Sequence, residues 1–184
     1  DSNVEVPRKL LDFANANTPF LLSVGGLEPE YAHAFMIDAM ETVLRKLPDA
    51  GLMIVGAGSL ANKLREQIAS KEYSERILLV NDIEHDVVLH LIEKSDILLR
   101  LTQYDGDAIS VREALFLGTP VIATDNGMRP DRVNLVSSPP TADEVSQTIV
   151  DIVGKRRPVD AAQIVDGMQN IEAVLAVYEK LLAK

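Results

Sequence analysis

The chain contains no cysteine in 184 residues, which excludes a disulfide framework and a thiolate metal site. Histidine is nearly as scarce. His33, His85 and His90 lack the spacing of a zinc cluster, although His85 and His90 flank one expected helix start. Basic residues are outnumbered, 18 against 28 acidic ones, for a net charge of −10. Nucleic acid and anionic membranes both reward Lys/Arg surfaces, so neither is an expected partner, and the acidity is read as solubility. No apolar run reaches the roughly 18 residues of a membrane span, and no signal-peptide pattern opens the chain. No integral membrane segment and a cytoplasmic location are therefore expected. The sequence starts at Asp1 rather than at a methionine, as a segment cut from a longer chain would.

What the chain does have is apolar residues, 47% of the total, enough for one domain with a core of its own. Residues 1–18 read as a lead-in segment, polar apart from an amphipathic piece around Leu10, Leu11 and Phe13. Residues 19–155 then alternate between two patterns. Phe20–Val24, Leu52–Val55, Ile77–Val80, Asp96–Leu99, Pro120–Ala123 and a weaker Asn134–Val136 are short, almost continuously apolar runs, the pattern of strands buried on both faces. Between them lie helical periodicities. The first carries Ala32, Phe35, Met36, Ala39, Met40, Val43, Leu44 and Leu47 and stops at Pro48, where a ring cannot continue a helix. Ser59, Asp86 and Ser110 stand where N-caps would open the next three, and a fifth runs from about Ala142 to Val153. This alternation predicts an α/β fold, a doubly wound parallel sheet of about six strands. Residues 156–184 read as a linker, with the solvated basic run Gly154-Lys-Arg-Arg-Pro158, followed by a packing helix from about Asn170 to Leu182.

Ligands of such sheets bind outside the carboxyl ends of the strands, and the unusual residues fall there: Gly25-Gly26, Gly56-Ala-Gly58, Asn81-Asp82, Arg100 to Asp107, and Asp125 to Arg129. Gly56-Ala-Gly58 looks like a fragment of a dinucleotide fingerprint. It has Ala61 where a third glycine would stand, and Glu75, about twenty residues on, does not end a following strand. It is read instead as a tight turn with close helix packing. The stretch from Tyr104 to Thr124 is the richer one. It opens as an acidic glycine loop, becomes a short helix carrying Glu113, and after Gly118-Thr-Pro120 turns into a buried strand. The helix start exposes free backbone N–H groups, where an anion can sit. Asp105 or Asp107 near that start is explained by the helix dipole, a matter of ~0.3–1 kcal/mol. Glu113, among the apolar Ala114, Leu115 and Leu117, needs partners: sugar hydroxyls, or an internal ion pair with Arg112 or Arg129.

The run from Asp105 to Glu113, with its tail Ala-Leu-Phe-Leu-Gly-Thr-Pro-Val-Ile-Ala123, resembles the E-x7-E motif of family 4 retaining glycosyltransferases with the GT-B fold, Asp105 standing for the first glutamate. Ser23-Val-Gly-Gly-Leu27, Pro48 to Gly58, and Lys94-Ser-Asp-Ile-Leu98 follow in that family's order. The resemblance covers about residues 18–155 and only the C-terminal, nucleotide-sugar-binding half of such an enzyme. It implies a transfer with retention from a nucleoside-diphosphate sugar, with no further cofactor and no metal. Asp105 and Glu113 would be the catalytic pair, Glu113 accepting from the ribose hydroxyls and Asp105 facing the donor sugar. Gly25, Gly26, Gly58, Gly106 and the backbone N–H groups of Asp107, Ala108 and Ile109 would hold the sugar or diphosphate, and the main chain from Asn81 to Ile83 would meet the base. An acceptor saccharide or lipid would come through a missing N-terminal domain.

The family's arginine and lysine for the diphosphate are replaced here by Gly26 and Tyr31. Arg100, Arg112 or Arg129, with Arg132 nearby, is expected to take over their charge. The alternative is that these arginines pair with Asp105, Asp107 and Asp131. A non-enzymatic nucleotide-sugar-binding or interaction domain and a nucleotide-sugar epimerase-like enzyme stand as the other readings.

Overall fold

The computed structural model describes residues 5–102, 104–106 and 108–155. Asp107 and the helix expected at 170–182 lie outside the described residues. The six apolar runs form one sheet: β1 (Phe20–Val24), β2 (Gly51–Val55), β3 (Ile77–Val80), β4 (Ile97–Arg100), β5 (Val121–Thr124) and β6 (Asn134–Val136). All neighbouring pairs are parallel, with Leu21 opposite both Leu52 and Ile97. The strand order is β3-β2-β1-β4-β5-β6. The chain therefore winds outward from β1 in one direction and then returns to build on its other side, so the order reverses between β1 and β4.

Successive side chains of a strand point to opposite faces, and here both faces are covered. Leu21, Leu52, Ile54, Ile97, Leu99 and Ile122 pack into one core with α2 (His33–Lys46), α3 (Ala61–Ala69) and α6 (Ala142–Lys155). Phe20, Leu22, Met53, Val55, Leu98, Val121 and Ala123 pack into the other with α1 (Arg8–Ala16), α4 (His85–Lys94) and α5 (Ile109–Leu117). Each fully buried Leu, Ile, Phe or Met contributes about 1.5–3 kcal/mol relative to exposure. The lead-in segment thus adds a helix to the domain: Leu10 and Ala14 are buried, and Phe13 meets Phe20 edge-on at 6.3 Å.

The three expected caps are not caps. The N-cap positions of α3, α4 and α5 are Leu60, Glu84 and Ala108, none with a side-chain cap bond. The Ser59 backbone N–H and hydroxyl both donate to the Glu28 carboxylate, at 2.7 and 2.5 Å. Asp86 falls in the first turn of α4, and Ser110 lies inside α5 with its Oγ buried and unpartnered. A charge-assisted bond to a distant carboxylate at Ser59, and helix starts that fall two residues earlier than expected at α4 and α5, override the local preference. Strand limits shift through a contact just as remote in sequence. The Asp96 carboxylate accepts from the Phe20 N–H at 2.7 Å, and its own N–H donates to the Phe20 carbonyl at 2.8 Å. Asp96 thus joins β1 ahead of the ladder, and β4 runs one residue further than expected. Arg100 becomes a strand residue opposite Ala123.

Candidate functional site

Parallel strands bring their carboxyl ends to one edge, and at the reversal point Val24 and Arg100 end adjacent strands. A cleft of 490 Å³ opens there, its wall including Gly25, Ile83, His85, Arg100, Ile109 and Glu113. A recess of 280 Å³ shares Val24, Gly25, Asp82 and Val88 with it and adds Gly26 and Gly56. The structure thus gathers Gly25, Gly26, Ile83, Arg100, Ile109 and Glu113 of the expected residues. It does not put Gly58, Asn81, Gly106, Ala108, Arg112 or Arg129 on these walls. Gly58 is pressed on the Leu27 backbone, Asn81 accepts from Arg65 Nη2 at 2.7 Å, the Ala108 side chain joins a core, and Arg112 is exposed on α5.

Glu113 sits where α5 faces α4. Its side chain is 20% exposed, and its Oε1 lies 3.1 Å from His85 Nε2. The pairing partner is therefore a histidine from the neighbouring helix rather than Arg112 or Arg129.

Asp105 is the centre of a second cluster. Its Oδ2 accepts from Arg100 Nε at 2.8 Å, from Arg129 Nη1 at 3.0 Å and from Thr102 Oγ1 at 3.2 Å. The Arg100 and Arg129 side chains are only 11% and 2% exposed. Arg129 also donates to the Thr124 carbonyl and to Thr102 Oγ1, and Asn126 donates to the Asp105 carbonyl at 2.6 Å. The loops after β4 and β5 are tied together through these bonds. Burial alone would raise the Asp105 carboxyl, but the hydrogen bonds and charges of the two arginines outweigh it and hold the group below the usual carboxylate range. Two guanidiniums against one carboxylate leave a net positive charge here, and Arg100 presents it to the cleft. Arg100 and Arg129 thus pair with Asp105, as the alternative sequence reading had it.

Tyr31 closes this arrangement from the far side. It ends a short 3-10 turn, Pro29–Tyr31, and its ring lies on the Gly25-Gly26 turn: a Cβ on Gly25 would come within 2.5 Å of two ring carbons. The Arg100 guanidinium stands 4.8 Å from the ring centroid and donates to the Val24 carbonyl at 2.8 Å. The residue that replaces a cation in the sequence therefore holds another cation in its place, by cation–π attraction. A guanidinium has five N–H donors, so the bonds to Asp105 and Val24 do not exhaust it.

His33 stacks on Tyr31, centroids 5.9 Å apart. It is 2% exposed, its Nε2–H donates to the Gly26 carbonyl at 3.0 Å, and its Nδ1 is buried without a partner. Burial, offset partly by that bond and reinforced by the Arg100 charge, pushes its pKa down to about 4. A histidine so depressed is neutral in the fold and takes up a proton on unfolding at any pH between about 4 and the usual ~6.5. Its contribution to stability is complete above pH ~6.5 and is lost as pH falls toward 4, by roughly 3 kcal/mol in all. The lowered Asp105 has the same sign but acts further down, as pH falls through its own folded value. Unfolding titrations between pH 7 and 4 should show this loss, and His33→Gln, which keeps a donor for Gly26 and does not titrate, should flatten it.

Thr102, Asn126, His33 and His85 carry no motif, and the sequence singled out none of them as a site residue. Thr102 and Asn126 fall inside stretches read as the ligand edge, and His85 left its own signal as a histidine placed just past the carboxyl end of β3.

The family model described as "Glycosyl transferases group 1" matches residues 12–152. Among curated relatives, a GDP-mannose-dependent monoacylated alpha-(1-6)-phosphatidylinositol monomannoside mannosyltransferase of Corynebacterium glutamicum is 27% identical over 180 residues, covering 90% of this chain and 45% of its own. The lipopolysaccharide core biosynthesis mannosyltransferase LpsB of Rhizobium meliloti is 27% identical over 168 residues, covering 79% and 47%. The chain thus spans less than half the length of these relatives. Among solved structures, HepE of Anabaena in complex with UDP-glucose superposes with a TM-score of 0.65 at 19% identity, over 79% of this chain and 41% of that one.

Proposed function

The chain belongs to the glycosyl transferases group 1 family, and we propose that it is the C-terminal, donor-binding half of a family 4 retaining glycosyltransferase. The observation that carries this reading is the placement of Glu113: a carboxylate on the wall of a cleft at the sheet's reversal point, across from a glycine turn. Carboxylate oxygens accept from hydroxyls, and a ribose offers two of them. The Tyr31 ring and Arg100 fill the space where a Gly25 side chain would stand, so the group a diphosphate would meet beside this turn is the Arg100 guanidinium.

Departure of a nucleoside diphosphate develops negative charge, which fixed cations and N–H dipoles stabilise. Arg100 is the cation we assign to that charge, in place of the family's arginine and lysine. Arg129 stands behind it, and the N–H groups at the start of α5 add their dipoles. Asp105 positions the two arginines in this reading. The acceptor, a saccharide or lipid, would be held by the remainder of a longer protein. One curated relative is named as a phosphatidylinositol monomannoside mannosyltransferase and the other for lipopolysaccharide core biosynthesis, which supports a glycolipid acceptor. For the base the names divide: one relative is GDP-mannose-dependent and one fold neighbour holds UDP-glucose.

Calorimetric titration with uridine, guanosine and adenosine diphosphates tests the reading. One of them is expected to bind, and Glu113→Gln should weaken it by roughly ten- to a hundredfold, the value of hydrogen bonds to a charged acceptor. Binding by none of the three would overturn the donor-site assignment.

A further inference from the structure

His85 opens α4, 64% exposed, with its ring on the Glu113 carboxylate and its side chain on the wall of the same cleft. We propose that His85 is a positioning residue that sets how strictly the cleft discriminates ribose from deoxyribose, by fixing the orientation of Glu113. The proposal rests on the reading of Glu113 as the ribose acceptor.

The α5 backbone fixes where the Glu113 side chain begins, but not which way its carboxylate faces. A glutamate keeps several rotatable bonds, and ordering such a side chain costs free energy. The Nε2–Oε1 contact of 3.1 Å ties one carboxylate oxygen to a ring that is itself anchored in a different helix. A carboxylate has about four lone-pair positions, so one ring N–H leaves acceptor capacity for hydroxyls while removing the rotation. Recognition of two hydroxyls at once depends on such a fixed acceptor, because a group free to turn loses orientation in every complex it forms. The placement of both residues supports this role over a purely structural one. His85 is mostly exposed, so its packing contributes little to the fold, whereas the atom it touches is the acceptor expected to meet the ligand.

The test compares uridine, guanosine and adenosine diphosphates with their 2′-deoxy counterparts, titrated into the 184-residue chain and its variants. The chain should prefer the ribo form of whichever nucleotide it binds by roughly tenfold or more, equivalent to about 1.4 kcal/mol. In His85→Ala the ribo form should weaken and the deoxy form hardly change, so that the ratio falls to about threefold or less. His85→Gln restores an N–H donor and should recover part of the ratio. Thermal midpoints of these variants should stay close to that of the parent, because a structural loss would weaken both nucleotides alike. An unchanged ratio in His85→Ala, with Glu113→Gln still abolishing the preference, would overturn the role of His85 and leave the donor site standing. A parent chain that binds nucleotide without preferring the ribo form would overturn both the role of His85 and the reading of Glu113 as the ribose acceptor.

Discussion

Replacement of Asp105 by alanine should destabilise the chain by about 3 kcal/mol and loosen the carboxyl edge of the sheet. The carboxylate is the shared ion-pair partner of two guanidiniums that are 11% and 2% exposed, and removing one partner of a buried charge cluster leaves the others desolvated and unpaired, typically at ~3–5 kcal/mol. The lower end applies because Arg100 keeps the Val24 carbonyl and Arg129 keeps the Thr124 carbonyl and the Thr102 hydroxyl. Asp105→Asn retains an acceptor oxygen and should lose about half as much. Urea unfolding at pH 7 measures both. Addition of Arg129→Met to Asp105→Ala should recover part of the loss, because a partnerless cation is removed with it. A value for Asp105→Ala within about 0.5 kcal/mol of the parent, the range of ordinary surface changes, would show that the arginines are not held by this carboxylate.

A larger loss is expected from Gly56→Ala, about 3–5 kcal/mol. Gly56 lies at φ +154°, a conformation that residues with a Cβ rarely enter, and a Cβ there would collide with the Gly25 carbonyl oxygen. Neither backbone is free to retreat. The Gly56 N–H donates to the Val80 carbonyl at 3.1 Å and the Gly25 N–H to the Val55 carbonyl at 3.0 Å, so a shift breaks bonds that hold β1, β2 and β3 together at their ends. Backbone strain and overpacking each cost about 1–3 kcal/mol. Gly106→Ala is the control, since a Cβ at that position meets nothing within 4 Å and should change stability by no more than about 0.5 kcal/mol. Denaturation midpoints of the two variants, measured side by side, separate a required glycine from a tolerated one. Equal midpoints would remove the close-approach role assigned to Gly56-Ala-Gly58.

Gly56 and Glu113 show how much could be read from the chain alone. Gly56-Ala-Gly58 was legible as a tight turn rather than a dinucleotide fingerprint, because the third glycine and the acidic partner are missing; the structure gives both glycines a neighbouring backbone to approach. Glu113 was legible as a carboxylate in need of partners, because its neighbours in sequence are apolar. The identity of its partner was not, since His85 is 28 positions away and reaches it only after α4 and α5 pack on the same face. The cap positions failed for a related reason. Ser59, Asp86 and Ser110 are good caps by local preference, yet Ser59 bonds to Glu28, which lies 31 residues earlier and arrives through the loop after β1.

The six strands, their buried character on both faces and the alternation with helices were determined by the sequence itself, because periodicity of apolar residues is a local property that each segment carries wherever it is placed. The ligand edge followed from the same pattern, since parallel strands must all present their carboxyl ends on one side. Only the tertiary structure decided which charges meet there. Tyr31, Arg100, Asp105 and Arg129 come from three strand ends and the connections that follow them, those of β1, β4 and β5, and no local rule states that Arg100 lies over the Tyr31 ring or that one carboxylate oxygen holds both arginines. The strand order β3-β2-β1-β4-β5-β6 makes β1 and β4 neighbours, and electrostatic attraction across that seam selects among the partners it brings within reach.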